Sequence, residues 1–276
     1  MTKKSTKQYF PTLTYACLLL SMFGLALLLK REPQELVVEV PFIEVPVPVI
    51  EEEEIPDFEA MLDVQEKKDS FFSFLAPYIE LVNQQILGQR QRLVALQAKA
   101  QNGQPLNRAE MAFITALRVD YELENERLNT LNLINRLLKR ADIIPNSLAL
   151  AQAANESAWG TSRFAQEGNN FFGQWCYTEG CGIVPSRRAS GASHEVKSFS
   201  SVLESVQSYI MNLNTFPSYQ HLRDIRQELR DDGQPIDGIT LSEGLDSYSE
   251  RGDDYIFELQ SIIYSNNLLE HDHAEV

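Results

Sequence analysis

Residues 152–163 read Q-A-A-N-E-S-A-W-G-T-S-R and set one carboxylic acid, Glu156, among small and aromatic neighbours at an expected helix end. Ala153, Ala154, Ala158 and Trp159 keep water from a carboxyl between them, which disfavours its charged form and retains a proton for delivery to a leaving oxygen. Just upstream, Pro145, Asn146 and Ser147 supply a helix start. The alanine-rich run through Asn155 lets that helix pack closely on its neighbours, so Glu156 should project from its last turn.

Working outward, Phe71 to Leu87 and Gln89 to Lys99 carry apolar residues at three- and four-residue spacing and read as two helices broken at Gly88. Asn102-Gly103-Gln104-Pro105 is a turn. Asn107 caps the next helix with Glu110 three residues on, after which Met111, Ile114, Leu117 and Tyr121 share one face. Leu128, Leu131, Ile134 and Leu138 make a further stripe; helical apolar stripes of this kind are the ordinary sign of core packing. On the other side, Val184 to Phe199 has Pro, Gly, Ser and β-branched residues without a helical period, which predicts a small hairpin. Val202 to Leu213 and Asp254 to Tyr264 return to helical spacing. No tandem unit recurs.

The run from Pro145 to Ala165, followed by G-N-N-F-F-G-Q-W-C at residues 168–176, resembles the Bax group within the glucosaminidase family, which cleaves bacterial peptidoglycan on a lysozyme-like fold. The likeness is close from Pro145 to Gly182 and looser to about Tyr264. It implies that Glu156 is the catalytic acid and that Asn169, Asn170, Phe172 and Gly173 form the family's N-N-x-F-G turn, with Trp159, Asn170 and Phe172 at the substrate. A hydrolase usually wants a second carboxylate. The family places one in the hairpin, where Glu195 in S-H-E-V-K-S-F is the leading candidate and Glu179 the reserve. Tyr248 and Tyr255 in Y-S-E-R-G-D-D-Y resemble the family's paired Y-A-T-D-x-x-Y tyrosines, with Arg251 in place of Asp and one extra residue between them. Tyr248 is the firmer match. Ala158 stands where the family usually has Gly, a methyl group expected to narrow the space beside Glu156.

The 276 residues, 43% hydrophobic and 9% aromatic, suffice for one sizeable core with accessory segments. A net charge of −15 argues against a nucleic-acid partner. Residues 1–31 carry five Lys or Arg and no acid, whereas residues 32–60 carry ten acids and no base. Between Lys7 and Lys30 the 21 uncharged residues Tyr9 to Leu29 are long enough to cross a bilayer, with Lys3, Lys4 and Lys7 on the cytoplasmic side. Beyond that run, Pro33, Pro41, Pro46, Pro48 and Pro56 stiffen the chain and the acid run Glu51 to Glu54 extends it.

Cys176 and Cys181, separated by four residues with Gly180 among them, can close a disulfide outside the inner membrane. Neither a second C-x-x-C pair nor a His pair accompanies them, so zinc is the weaker reading and no cofactor is expected. The expected plan is a mainly α chain: a cytoplasmic tail (1–8), a transmembrane anchor (9–29), a Pro/Val/Glu-rich stalk (30–60), a helical layer (61–142), a lysozyme-like α+β domain with a small β-hairpin (143–268) and a polar tail (269–276). The expected activity is an endo-β-N-acetylglucosaminidase working on peptidoglycan glycan strands by general acid catalysis, held at the inner membrane with its domain in the periplasm. The alternatives are a lytic transglycosylase using the single Glu156 and a noncatalytic wall-binding scaffold.

Overall fold

The computed structural model describes residues 54–272, apart from residues 187, 189, 190 and 192. The expected tail 1–8, anchor 9–29, most of the stalk and the last residues of the polar tail lie outside the described residues. Among those described, no helix is long and apolar enough to cross a membrane.

The longest element, α1 (Val64–Gln101), starts where Asp63 accepts a hydrogen bond from the Glu66 amide and runs unbroken through Pro77 and Gly88. The expected break at Gly88 does not occur. A mid-helix glycine costs about 1 kcal/mol against alanine, and packing on both sides outweighs it. Phe71, Leu75, Ile79, Val82 and Ile86 bury into one core, whereas Leu93 and Leu96 bury into another. At about 1.5 Å per residue the helix is roughly 57 Å long, enough to serve both.

The second core is the expected helical layer. Here α2 (Arg108–Asp120) begins in a capping box between Asn107 and Glu110 and buries Ile114 and Leu117, while Met111, read as a core residue, stays 39% exposed. The next helix, α3 (Thr130–Arg140), buries Leu133, Ile134, Leu137 and Leu138; Leu128 and Leu131 lie at its half-buried margin.

Asp142 joins this layer to the rest. It is buried and paired with Arg90 at 3.1 Å and Arg230 at 2.8 Å. Burial alone would raise its pKa, but the guanidiniums of Arg226, Arg230 and Arg90 prevail and hold the carboxyl below its usual range. The helix α7 (Gln220–Asp231), which the sequence reading passed over, faces inward with charged residues: Arg226 donates to the carbonyls of Asp142 and Ile143, and Arg223 to those of Leu213 and Phe216. Two buried arginines here satisfy the orphan carbonyls of chain segments that end beneath them.

The main core surrounds α4 (Asn146–Ser157), buried along nearly its whole length because its Ala and Ser side chains let neighbours approach. No side chain of its own caps it. Asp272 does so from 125 residues away, accepting from the Ser147 amide at 2.8 Å and from its hydroxyl at 2.5 Å. Part of the expected polar tail is thus a structural element.

After α5 (Arg163–Gly168) the expected hairpin appears as three short antiparallel strands, β1 (Trp175–Cys176), β2 (Gly182–Ile183) and β3 (Glu195–Lys197), in the order β1-β3-β2. Two of them precede the segment read as hairpin, because the disulfide loop and not a run of β-branched residues brings β1 and β2 to β3. The helices α6 (Val202–Thr215), α8 (Gly238–Ser242) and α9 (Asp253–Ser265) complete a mainly helical arrangement with one small sheet. The end of the expected stalk is also part of it: Phe58 is fully buried against Phe71 and Phe74.

Candidate active site

Glu156 occupies the last turn of α4, and the chain then passes through three consecutive left-handed residues, Ala158 (φ 51°), Trp159 (φ 58°) and Gly160 (φ 75°). This turn is fastened from inside. Ser157 Oγ donates to the Ala153 carbonyl and accepts from the Gly160 amide, and a side-chain carbon added at Gly160 would lie 2.4 Å from the Phe58 ring. What Ala158 brings is therefore strain in the backbone, since its methyl group is exposed and an L-residue in this region costs about 1–2 kcal/mol.

The Glu156 carboxyl is half-buried. Tyr255, on α9, donates its hydroxyl to Oε1 at 2.9 Å. Behind it, Tyr209 donates to Gln152 Oε1 at 2.6 Å and Gln152 Nε2 donates to the Tyr255 oxygen at 3.0 Å, so three buried groups pass one direction of polarity toward the acid. Burial raises the Glu156 pKa above the usual carboxylate range; the Tyr255 and Asn155 hydrogen bonds pull it down, and the net direction is up. The negative end of α4 acts in the same sense as burial. On the other side Gly173 (φ 64°) closes on the acid: a side-chain carbon there would come 3.0 Å from Oε2. Any larger residue would press on that oxygen.

Of the two tyrosines, Tyr255 touches Glu156, and Tyr248, the firmer match in sequence, supports it. Tyr248 stacks on Tyr255 with ring centroids 5.5 Å apart and donates to the Phe172 carbonyl at 2.9 Å. Two other residues expected at the substrate have different work. Asn170 is buried and its side-chain amide is fully spent, donating to the Gln174 and Lys197 carbonyls and accepting from the Phe172 and Gln174 amides. Phe172 is buried and stacks on Tyr209 at 3.9 Å. Both shape the turn that carries Gly173 and offer nothing to a ligand. Trp159 packs edge-on against Phe71 and Phe72 with the Lys68 ammonium 4.9 Å over its ring, a wall of the turn after Glu156.

Cys176 and Cys181 form a disulfide, with Cα atoms 6.2 Å apart. Glu195, the expected second acid, lies beside it on β3, 4% exposed, and accepts from the Gly180 amide with one oxygen (3.2 Å) and the Gly182 amide with the other (2.9 Å). Those amides hold its pKa below the usual range. Glu195 thereby holds the disulfide loop, with both of its oxygens engaged by backbone amides. Glu179, the reserve, is exposed in the same loop.

Gln152 and Tyr209 escaped the sequence reading. Gln152 left one signal: it is the lone long polar side chain in an alanine run, four residues before Glu156 and hence on the same helix face.

A glucosaminidase family model, described as mannosyl-glycoprotein endo-beta-N-acetylglucosaminidase, matches residues 131–268. The chain is also 33% identical over 216 residues to Protein bax of Escherichia coli (strain K12), an overlap that covers 78% of this chain and 75% of that one. Both matches include Glu156 and its surroundings, and the family match begins inside α3.

Proposed function

Because the chain belongs to the glucosaminidase family, as a Bax-type member, we propose that it is a peptidoglycan hydrolase that cleaves glycan strands after N-acetylglucosamine with Glu156 as general acid. One observation carries this reading: a half-buried carboxyl with a raised pKa, bonded on one oxygen by Tyr255 and left uncrowded on the other by Gly173. A general acid must hold its proton near neutral pH and present it at hydrogen-bond distance to the leaving oxygen. Burial supplies the first condition and the glycine the second. As the glycosidic oxygen takes the proton, the carboxylate left behind is stabilised by the Tyr255 hydroxyl, itself aligned by Gln152 and Tyr209.

Positive charge develops on the N-acetylglucosamine ring whose anomeric bond breaks, while the neighbouring sugar departs with the proton. Water then completes hydrolysis. Purified residues 54–276 incubated with sacculi should release reducing N-acetylglucosamine ends, and full activity in Glu156→Gln would overturn the assignment. The uncharged run Tyr9 to Leu29, outside the described residues, would tether this domain to the inner membrane; cell fractionation with and without that run tests it.

A lytic transglycosylase is the second reading, favoured by the engagement of both Glu195 oxygens with loop amides. A single acid suffices when the sugar's own hydroxyl attacks. Mass spectrometry of the products separates the two, since transglycosylation leaves anhydro-muramyl ends.

A further inference from the structure

A cavity of about 320 Å³ opens next to the turn that carries Gly173. Gln174 and Trp175 on its wall directly follow Gly173, so it begins within roughly 7 Å of backbone from the residue that faces Glu156. Its walls have three sources. Trp175 and Lys197 come from the sheet, Phe216 from the end of α6, and Asp120 and Glu122 from the end of α2. The first three lie within the family-matched residues; the two acids belong to the helical layer ahead of them. The helical layer therefore adds something to the cleft besides support.

The chemistry of the walls is specific. Trp175 and Phe216 are 53% and 52% exposed, two large apolar surfaces facing one space. The Trp175 ring lies 4.1 Å from that of His194. Both carboxylates are exposed, and Lys197, its ammonium 4.6 Å over the Phe199 ring, places a positive charge on the sheet wall.

Glu122 sits there at a cost. After α2 the Leu123 amide donates to the Arg118 carbonyl and the Glu122 amide to that of Val119, a helix-ending motif whose left-handed position is normally glycine and is here Glu122 at φ 54°. Fold alone would be served better by glycine.

We propose that this cavity is a subsite for the peptide substituent of the glycan, taking a short peptide that bears a free primary amine. The ammonium sits between Asp120 and Glu122, the aliphatic chain lies against Trp175 and Phe216, and a carboxylate of the peptide turns toward Lys197. The assignment rests on the glycan-hydrolase reading, and it makes the helical layer a specificity element.

The test uses peptide-bearing glycan chains, the same chains stripped of peptide by an amidase, and chains whose peptide amine has been acetylated. The wild-type protein should show kcat/KM about tenfold higher on the first than on either of the others, carried by KM. In Asp120→Asn/Glu122→Gln that ratio should fall to about one. Glu122→Gly supplies the control for folding: its melting temperature should stay level or rise while the ratio still drops. An unchanged ratio in either variant, or a wild-type protein indifferent to the peptide, overturns the proposal.

Titration of the Glu156→Gln protein with each chain type reads the same preference as affinity. If no chain is cleaved, the hydrolase reading fails, and this binding arm still decides for or against the subsite.

Discussion

Glu156 and Glu195 are the same side chain in opposite surroundings, one at the end of α4 and the other at the start of β3. Glu156 is desolvated among Ala, Gly and Tyr with one phenolic donor, and its proton is held more tightly than in water. Glu195 has a backbone amide on each oxygen and gives its proton up more readily. Helix termini and apolar walls prepare an acid, whereas strand-and-loop amides prepare a structural anion. The contrast explains why the family motif alone did not separate the two roles.

The sharpest way to break the comparison is Glu156→Gln, which should lower turnover by about 10²–10⁴-fold, the usual contribution of a general acid. Stability should move the other way. The native pKa is raised, so ionisation destabilises the native state as pH climbs from the unfolded value to the native one. The variant should thus match the wild type in acid melts and equal or exceed it at neutral pH.

Next in size is Glu195→Gln. If it holds the loop, activity drops by roughly tenfold with both limbs of the pH–rate profile in place, and the lost stability is confined to pH above the native Glu195 pKa. Loss as deep as in Glu156→Gln, with an intact melting curve, would instead restore it as the second acid.

Tyr255→Phe should cost about tenfold as well and shift the alkaline limb upward, because the hydroxyl favours the charged carboxylate and its removal leaves burial less opposed. Reducing the disulfide should cost about 2 kcal/mol by loop-closure reasoning. Since Glu195 and the disulfide hold the same loop, their combined effect in a double-mutant cycle should be less than the sum. The smallest change is Ala158→Gly, expected to add about 1 kcal/mol, or roughly 2–4 °C, by relieving the left-handed alanine.

What sequence made legible depends on the range of the interaction that sets it. The Asn107–Glu110 capping box, the α4 segment and Glu156 at its end are governed by neighbours three or four residues apart, and all appear as read. The disulfide is also short-range. The contact between Glu156 and Tyr255 spans 99 residues, and spacing cannot show which tyrosine of a pair reaches the acid. Asn170 and Phe172 belong to the motif because the turn needs them, so membership in the motif did not distinguish scaffold from contact. Gly88 was read as a break because propensity is local, whereas burial on both sides of it is not. In α7 the apolar period of Leu222, Ile225 and Leu229 is visible in the sequence, whereas the burial of Arg223 and Arg226 is set by carbonyls of distant segments and is not.

The carboxylate of Asp272 closes the first turn of α4 across a sequence separation of 125 residues. Loop-closure entropy makes so distant a contact slow to form, so it belongs late in the folding sequence. Until it forms, the helix that carries Glu156 lacks its N-terminal bond. A polypeptide truncated ahead of position 272 should accordingly assemble its aromatic core yet fray at the start of that helix, which amide exchange at Ser147 would register.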